Sequence, residues 1–294
     1  MADKYHDTVA KSSVTVDDSA VAAETAKILE IAGDKHNTPD ILKFLFSCVE
    51  LTSLRSTDSQ QSISALVDKV NLFESEHGDL PNVAAICVYP NFAQTVRAVL
   101  EVSEVEIACV AGGFPSSQTF PEIKVAETAL AVASGADEID TVINLGDFLD
   151  DDWESVTDEL GEIKNSCRDH ALKVILETGA LQTATRVRAA AILSLYSGAD
   201  FIKTSTGKGY PGATPEAVYV MCKCIKEYFG ATGRMAGIKV AGGVSTVADA
   251  LRYYAVVSAV LGEKWLTPEY FRIGSSNLAN ELYKTITGKT ENFF

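Results

Sequence analysis

The fold class the sequence predicts is α/β, a (β/α)8 TIM barrel with a helical N-terminal extension, and three observations predict it. Eight short apolar, β-branched runs recur along the chain. Helical patterns separate them, and 294 residues, 47% of them hydrophobic, suffice for one large core. The runs are "LFSCVELTSL" (45–54), "AAICVYP" (84–90), "EIACVAGGFP" (106–115), "EIDTVINLG" (138–146), "KVILETG" (173–179), "ADFIKTSTG" (199–207), "MAGIKVAGG" (235–243) and "YFRIGSS" (270–276). Near-continuous apolarity on both faces marks a parallel sheet covered by helices. Eight such units in about 250 residues close into a barrel rather than an open sheet.

Between the runs, Ile123, Ala126, Leu130 and Ala133 recur at helical spacing after Pro121, a residue suited to a helix start. Val187, Ala191 and Leu195 do the same ahead of Gly198, a stop signal. Further helical patterns near residues 21–32 and just before the first strand define an extension, 1–43, expected to cap the barrel. The barrel itself is expected over 44–288 and a short tail over 289–294.

A formal charge of −15 argues against sequence-independent nucleic-acid binding and against an anionic membrane surface, so any anionic substrate must be held by local geometry. The first 20 residues lack the apolar stretch of a secretory signal, and no run approaches the ~18 apolar residues of a membrane span. A cytoplasmic protein is expected. The six cysteines, at 48, 87, 109, 167, 222 and 224, are scattered through apolar segments without C-x-x-C spacing, as suits reduced, buried thiols. Cys222 and Cys224 diverge by about 200° on a helix and cannot share a metal.

The stretch "ADFIKTSTGKGYPG" places Lys203 inside an apolar strand. "SGADEID" (134–140) and "SGADFIK" (197–203) align residue for residue, so Asp140 and Lys203 hold equivalent positions on the fourth and sixth strands. Alternate strands of a barrel contribute to a common inward layer, which sets this carboxylate and amine facing each other. A structural ion pair would read the same way. A third charge, Lys239 in "GIKVAGG", separates the readings. Two lysines on neighbouring strands repel each other and are desolvated, and both effects lower an ammonium pKa. Burying them for stability alone costs several kcal/mol each. A lysine kept partly neutral by a cationic neighbour is instead a nucleophile that forms Schiff bases with carbonyls.

Glycine and serine clusters follow the last strands: Gly242 and Gly243 after the seventh, Gly274 and Ser276 after the eighth, with Gly207 and Lys208 after the sixth. Loops after strands seven and eight are where such barrels hold phosphate, although glycines there also serve simply as turns. Gly207, Gly209 and Gly212 spell G-x-G-x-x-G, but Pro211 interrupts the turn and the first strand lacks the fingerprint, so no dinucleotide cofactor is expected. The four histidines, at 6, 36, 77 and 170, all lie away from strand ends, which leaves a Ser-His-Asp triad or a His-rich metal site without its parts. No metal is expected. Glu50 and Glu177 end strands and serve either as acid–base groups or as anchors for loop amides; Cys87 reads as core.

Together, "AAICVYP", "GADEID", "FIKTSTGK", "GIKVAGG" and "FRIGSS" resemble the deoxyribose-phosphate aldolase family of class I aldolases, over most of the chain from Cys48 on. The resemblance implies that Lys203 carries the Schiff base, that Lys239 lowers its pKa, and that Asp140 relays protons with Lys239. It also implies that Gly207, Lys208, Gly242, Gly243, Gly274 and Ser276 meet a phosphate, with Cys87, Thr206 and Glu50 near the pocket. The implied reaction is reversible cleavage of 2-deoxy-D-ribose 5-phosphate to D-glyceraldehyde 3-phosphate and acetaldehyde, without a cofactor. The implied partner is a phosphosugar, and a homo-oligomer, a dimer first, is expected. Departures from the pattern are Glu50 where Asp is frequent, Val240 for Pro, Ser245 for Arg, Asn277 for a second Ser, and an end "ENFF" in place of a terminal tyrosine.

Overall fold

A computed structural model describes residues 11–294; the first ten residues of the expected extension, with His6, lie outside the described residues. Eight parallel strands close into a barrel in chain order: β1 Val49–Thr52, β2 Ala85–Val88, β3 Glu106–Ala111, β4 Glu138–Val142, β5 Ala171–Ile175, β6 Phe201–Lys203, β7 Gly237–Ala241 and β8 Phe271–Ser275. β8 returns to β1 through Val49 opposite Ile273, so no strand edge is left open. Seven of the eight expected runs contain a whole strand, and the fifth, 173–179, overlaps β5, which begins two residues earlier at Ala171.

The first run begins differently from its apolar pattern. Leu45 and Phe46 belong to a helix, Pro39–Ser47, whose Thr38 side chain accepts from the Ile41 amide and whose Pro39 sits at the first turn. A continuous apolar run carries no period, so helix and strand could not be divided within it.

Helices cover the outside of the sheet, and the main core lies between the two layers. Pro121–Ala133 is helical as expected, yet its apolar stripe faces outward: Ile123 is 53% and Leu130 67% exposed. The inward face is Lys124, Thr128 and Ala131. Lys124 is buried because its Nζ donates to Glu159 at 2.7 Å and to Ser117 Oγ at 2.9 Å, an ion pair that replaces apolar packing.

Of the N-terminal extension, helix Asp18–Ala32 lies against helices Pro215–Thr232 and Val247–Leu261 on the barrel's flank. Asp18 accepts from the Ala184 amide at 2.7 Å and Thr185 Oγ1 from the Val16 amide at 2.9 Å. At the other end of the chain, Asn280 Oδ1 accepts from the amides of Phe293 and Phe294, at 2.8 and 2.9 Å, and both rings pack on Phe73. No helix among the described residues is long and apolar enough to cross a membrane.

At the N-terminal end of the strands, Glu106 is pushed up to about 7 by burial, by the Asp137 carboxylate and its hydrogen bond, and by Glu138, with Arg272 opposing. A carboxyl raised in the folded state contributes its stability fully below the ordinary value of 4.5 and loses it as pH rises through about 7. Glu106→Gln is therefore expected to raise the melting temperature at pH 8 and leave it unchanged at pH 4. Thermal unfolding of both proteins at the two pH values checks this.

Candidate active site

Every strand is buried on both faces, so alternation alone does not tell which residues point into the barrel; the ion pairs do. Lys203 ends β6 directly opposite Lys239 on β7. Asp140, two strands away on β4, sets its Oδ2 2.6 Å from both ammonium groups. Lys239 also donates to Glu50 on β1, and Glu50 Oε1 lies 3.1 Å from Lys173 on β5. Lys173 pairs in turn with Glu138, which takes Arg272 at 3.1 Å. The chain of charges thus runs down the barrel from Lys203 to Arg272.

Three carboxylates, Glu50, Glu138 and Asp140, meet four cations, Lys173, Lys203, Lys239 and Arg272, so with every one of these groups charged the cluster carries one surplus positive charge. Burial pushes the Asp140 carboxyl upward, but Lys203, Lys239 and Lys173 outweigh it and hold it far below the usual carboxylate range. For Glu50, burial is likewise opposed by Lys173 and Lys239, which bring it down to about 2. Lys239 departs from the expectation that its pKa is depressed. Burial does act to lower it, yet Asp140 and Glu50 prevail and raise it, so Lys239 is a firm cation. Asp140 Oδ1, by contrast, is buried without a hydrogen-bond donor among the described residues.

Lys173, Glu138 and Arg272 were missed in the sequence, although a signal was present. Lys173 stands in an apolar run as Lys203 does, and Glu138 precedes Asp140 by two, the spacing of one strand face. Lys173 makes contacts with three carboxylates. Lys173→Met is expected to cost about 3–5 kcal/mol of stability, because Glu50 and Glu138 lose a buried counter-ion. Denaturant unfolding measures it.

Above the cluster, at the C-terminal ends of the strands, opens a cleft of about 290 Å³ with Lys203 on its floor. Its wall brings together all six residues expected at a phosphate, Gly207, Lys208, Gly242, Gly243, Gly274 and Ser276, along with Thr206. Gly274 does more than rim the cleft. A Cβ there would lie 3.1 Å from Lys239 Cε, so the glycine leaves room for the lysine stem. Glu50 and Cys87 lie in the barrel interior below.

Loop–loop contacts fix this rim. Thr204 Oγ1 donates to the Ala241 carbonyl at 2.8 Å and accepts from its amide at 2.9 Å, tying the end of β6 to β7. Gly212, part of the G-x-G-x-x-G spelling, packs so tightly on Gly242 that any Cβ would overlap the Gly242 carbonyl oxygen. That motif therefore serves backbone approach. Glu177, the other strand-end carboxylate, accepts from the Thr206 amide at 3.2 Å and from its hydroxyl, and anchors the loop.

One side of the lumen is apolar. Leu54, Ala85, Cys87, Ala108 and Val110 form a small cluster with Phe114, whose ring centroid is 6.0 Å from Lys203 Nζ. Ligating atoms of Glu50, Cys87 and Asp140 lie within 4.8 Å of one another, a spacing that could hold a metal. The donor chemistry does not fit: the Lys239 ammonium already donates to both carboxylates, and burial pushes the Cys87 thiol up, keeping it protonated.

The arrangement is an amine at the base of a glycine-rimmed cleft, beside a shared carboxylate. The model of the DeoC/LacD family aldolases matches residues 52–264. The chain is similar to a Caenorhabditis elegans protein provisionally named deoxyribose-phosphate aldolase, 40% identical over 273 residues, covering 91% of this chain and 88% of that one. It is also similar to the deoxyribose-phosphate aldolase of Homo sapiens, 37% identical over 255 residues, 82% of this chain and 80% of that one. Among solved structures, the deoxyribose phosphate aldolase of Aeropyrum pernix, described as a tetramer, shares the fold with a TM-score of 0.68. It is 23% identical and covers 89% of this chain and 98% of that one.

Proposed function

The chain belongs to the DeoC/LacD family of aldolases, and from that premise we propose that it reversibly cleaves 2-deoxy-D-ribose 5-phosphate through a Schiff base on Lys203. The observation that carries this reading is the surplus positive charge in the buried cluster. Loss of one proton balances it. Arg272 does not deprotonate, and Lys173 and Lys239 each contact two or more carboxylates, whereas among the described carboxylates Lys203 contacts Asp140 alone. Lys203 is therefore the amine least engaged by carboxylates, and among the described residues the one lysine of the cluster that lines the cleft.

The neutral amine adds to the C1 aldehyde of the opened sugar, and loss of water leaves an iminium. Asp140, reached through Lys239 or a water, takes up the C3 hydroxyl proton as the C2–C3 bond breaks and its electron pair moves toward nitrogen. D-Glyceraldehyde 3-phosphate leaves and an enamine remains. Protonation at C2 and hydrolysis release acetaldehyde and restore the amine. Leu54, Cys87 and Phe114 offer the two-carbon fragment an apolar wall. The glycine rim and Lys208 hold the phosphate, whose remote binding energy orients the carbonyl.

All six cysteines are free and buried, which supports action in the reducing cytoplasm. Self-association as a dimer belongs to the same reading and is measured by analytical ultracentrifugation. A coupled assay for acetaldehyde release from 2-deoxy-D-ribose 5-phosphate tests the substrate. Turnover of other phosphosugars but not this one would refute it.

A further inference from the structure

We propose that Arg55, on the loop after β1, is a specificity-determining residue whose guanidinium clamps the phosphate of the substrate. The inference rests on the aldolase reading for the identity of the sugar, but not for the anion site itself.

The first ground is charge. The protein carries a formal −15, yet among the described residues the cleft wall contains three cations, Arg55, Lys203 and Lys208, and no carboxylate. In such a chain a cation-only cleft is a selected site for an anion, because screening by neighbouring acids is the default elsewhere. Lys203 is committed to the cluster below, which leaves Arg55 and Lys208 for the rim.

The second ground is the way Arg55 is presented. Its backbone amide donates to Asp58 Oδ2 at 2.9 Å, and the same oxygen accepts from Ser53 Oγ at 2.9 Å, so the turn carrying Arg55 is pinned. Lys208 Nζ donates to the Leu54 carbonyl at 2.9 Å, drawing the loop after β6 onto the residue just before Arg55. The guanidinium itself has no ion pair or hydrogen bond among the described residues. Asp58 and Lys69 share a neighbouring groove with it, but the Asp58 oxygen nearest this turn is taken by the two donors named. An exposed arginine carried on a pinned backbone turn, its planar fork unengaged, offers bidentate binding to a phosphate.

The third ground is the opposite rim. The loop after β7 reaches the cleft with Gly242, Gly243 and Ser245, which supply backbone amides and a hydroxyl but no charge. A sugar phosphate lying between these loops meets neutral donors on one side and needs a cation on the other. Arg55 is placed to supply it.

The test compares wild type, Arg55→Ala and Arg55→Lys on 2-deoxy-D-ribose 5-phosphate and on 2-deoxy-D-ribose. In Arg55→Ala the ratio of kcat/KM for the phosphorylated over the free sugar is expected to fall about ten- to a hundredfold, mostly through KM. Arg55→Lys falls between, since it keeps the charge and loses the fork. An unchanged ratio, or equal losses on both sugars, would overturn the proposal. Calorimetric titration with inorganic phosphate reads the same arginine without turnover. Weakened phosphate binding in Arg55→Ala upholds the anion clamp even if neither sugar is cleaved, and equal affinity in the two proteins overturns it.

Discussion

Lys203→Leu is expected to eliminate aldol cleavage, a loss beyond about 10⁴-fold, while the barrel stays folded. Both halves follow from the charge cluster. Without the amine no iminium forms, and among the described residues the one other lysine at the cleft is Lys208, whose Nζ is turned to the Leu54 carbonyl. Folding survives because removing Lys203 leaves three cations against three carboxylates, and Asp140 keeps Lys239 at 2.6 Å. Circular dichroism and thermal unfolding, run beside the activity assay, separate lost chemistry from lost structure. A variant that fails to fold would show that the cluster needs all four cations.

Lys239→Leu is expected to slow turnover at neutral pH by about tenfold to a thousandfold, and to restore part of it as the pH is raised. Removing Lys239 abolishes the surplus positive charge, so Lys203 then completes a balanced cluster and faces Asp140 alone. A neighbouring charge displaces a titration by about one to three units, and each unit removes about tenfold of the neutral amine. The pH–rate profile is the decisive readout. A purely structural role for Lys239 predicts the same loss at every pH.

The two variants also explain what could be read from the sequence. Lys203, Lys239 and Asp140 stood out because a charge inside an apolar run is costly unless it has a task or a partner. Their convergence followed from the internal repeat and from barrel periodicity. Glu50 was visible as a strand-end acid, but its contact with Lys239 spans 189 residues and could not be seen. For that reason the lysine pair appeared as two repelling cations, whereas carboxylates in fact separate and sustain them. Lys173 and Arg272 carried the same signal and were outweighed by the glycine-flanked lysines.

Elsewhere the limits lay in pattern ambiguity. All eight strands were legible because each ends in turn chemistry, yet the apolar run 45–54 concealed the helix end at Ser47. The stripe Ile123, Ala126, Leu130 and Ala133 has helical spacing but faces outward, since the buried side is organised by Lys124 and Glu159. Arg55 had no signal at all: a basic residue in a polar loop looks solvated until the folded chain sets it against a cleft with no acid among its described residues.

Catalysis by this barrel requires a carbon–nitrogen bond to form at one side chain, Lys203. Reduction with borohydride in the presence of acetaldehyde, followed by peptide mass mapping, tests this directly. A single ethylated residue is expected at Lys203, absent from Lys203→Leu and formed at higher pH in Lys239→Leu. An unmodified protein, or an adduct at Lys239 or Lys208 with Lys203 untouched, would contradict it.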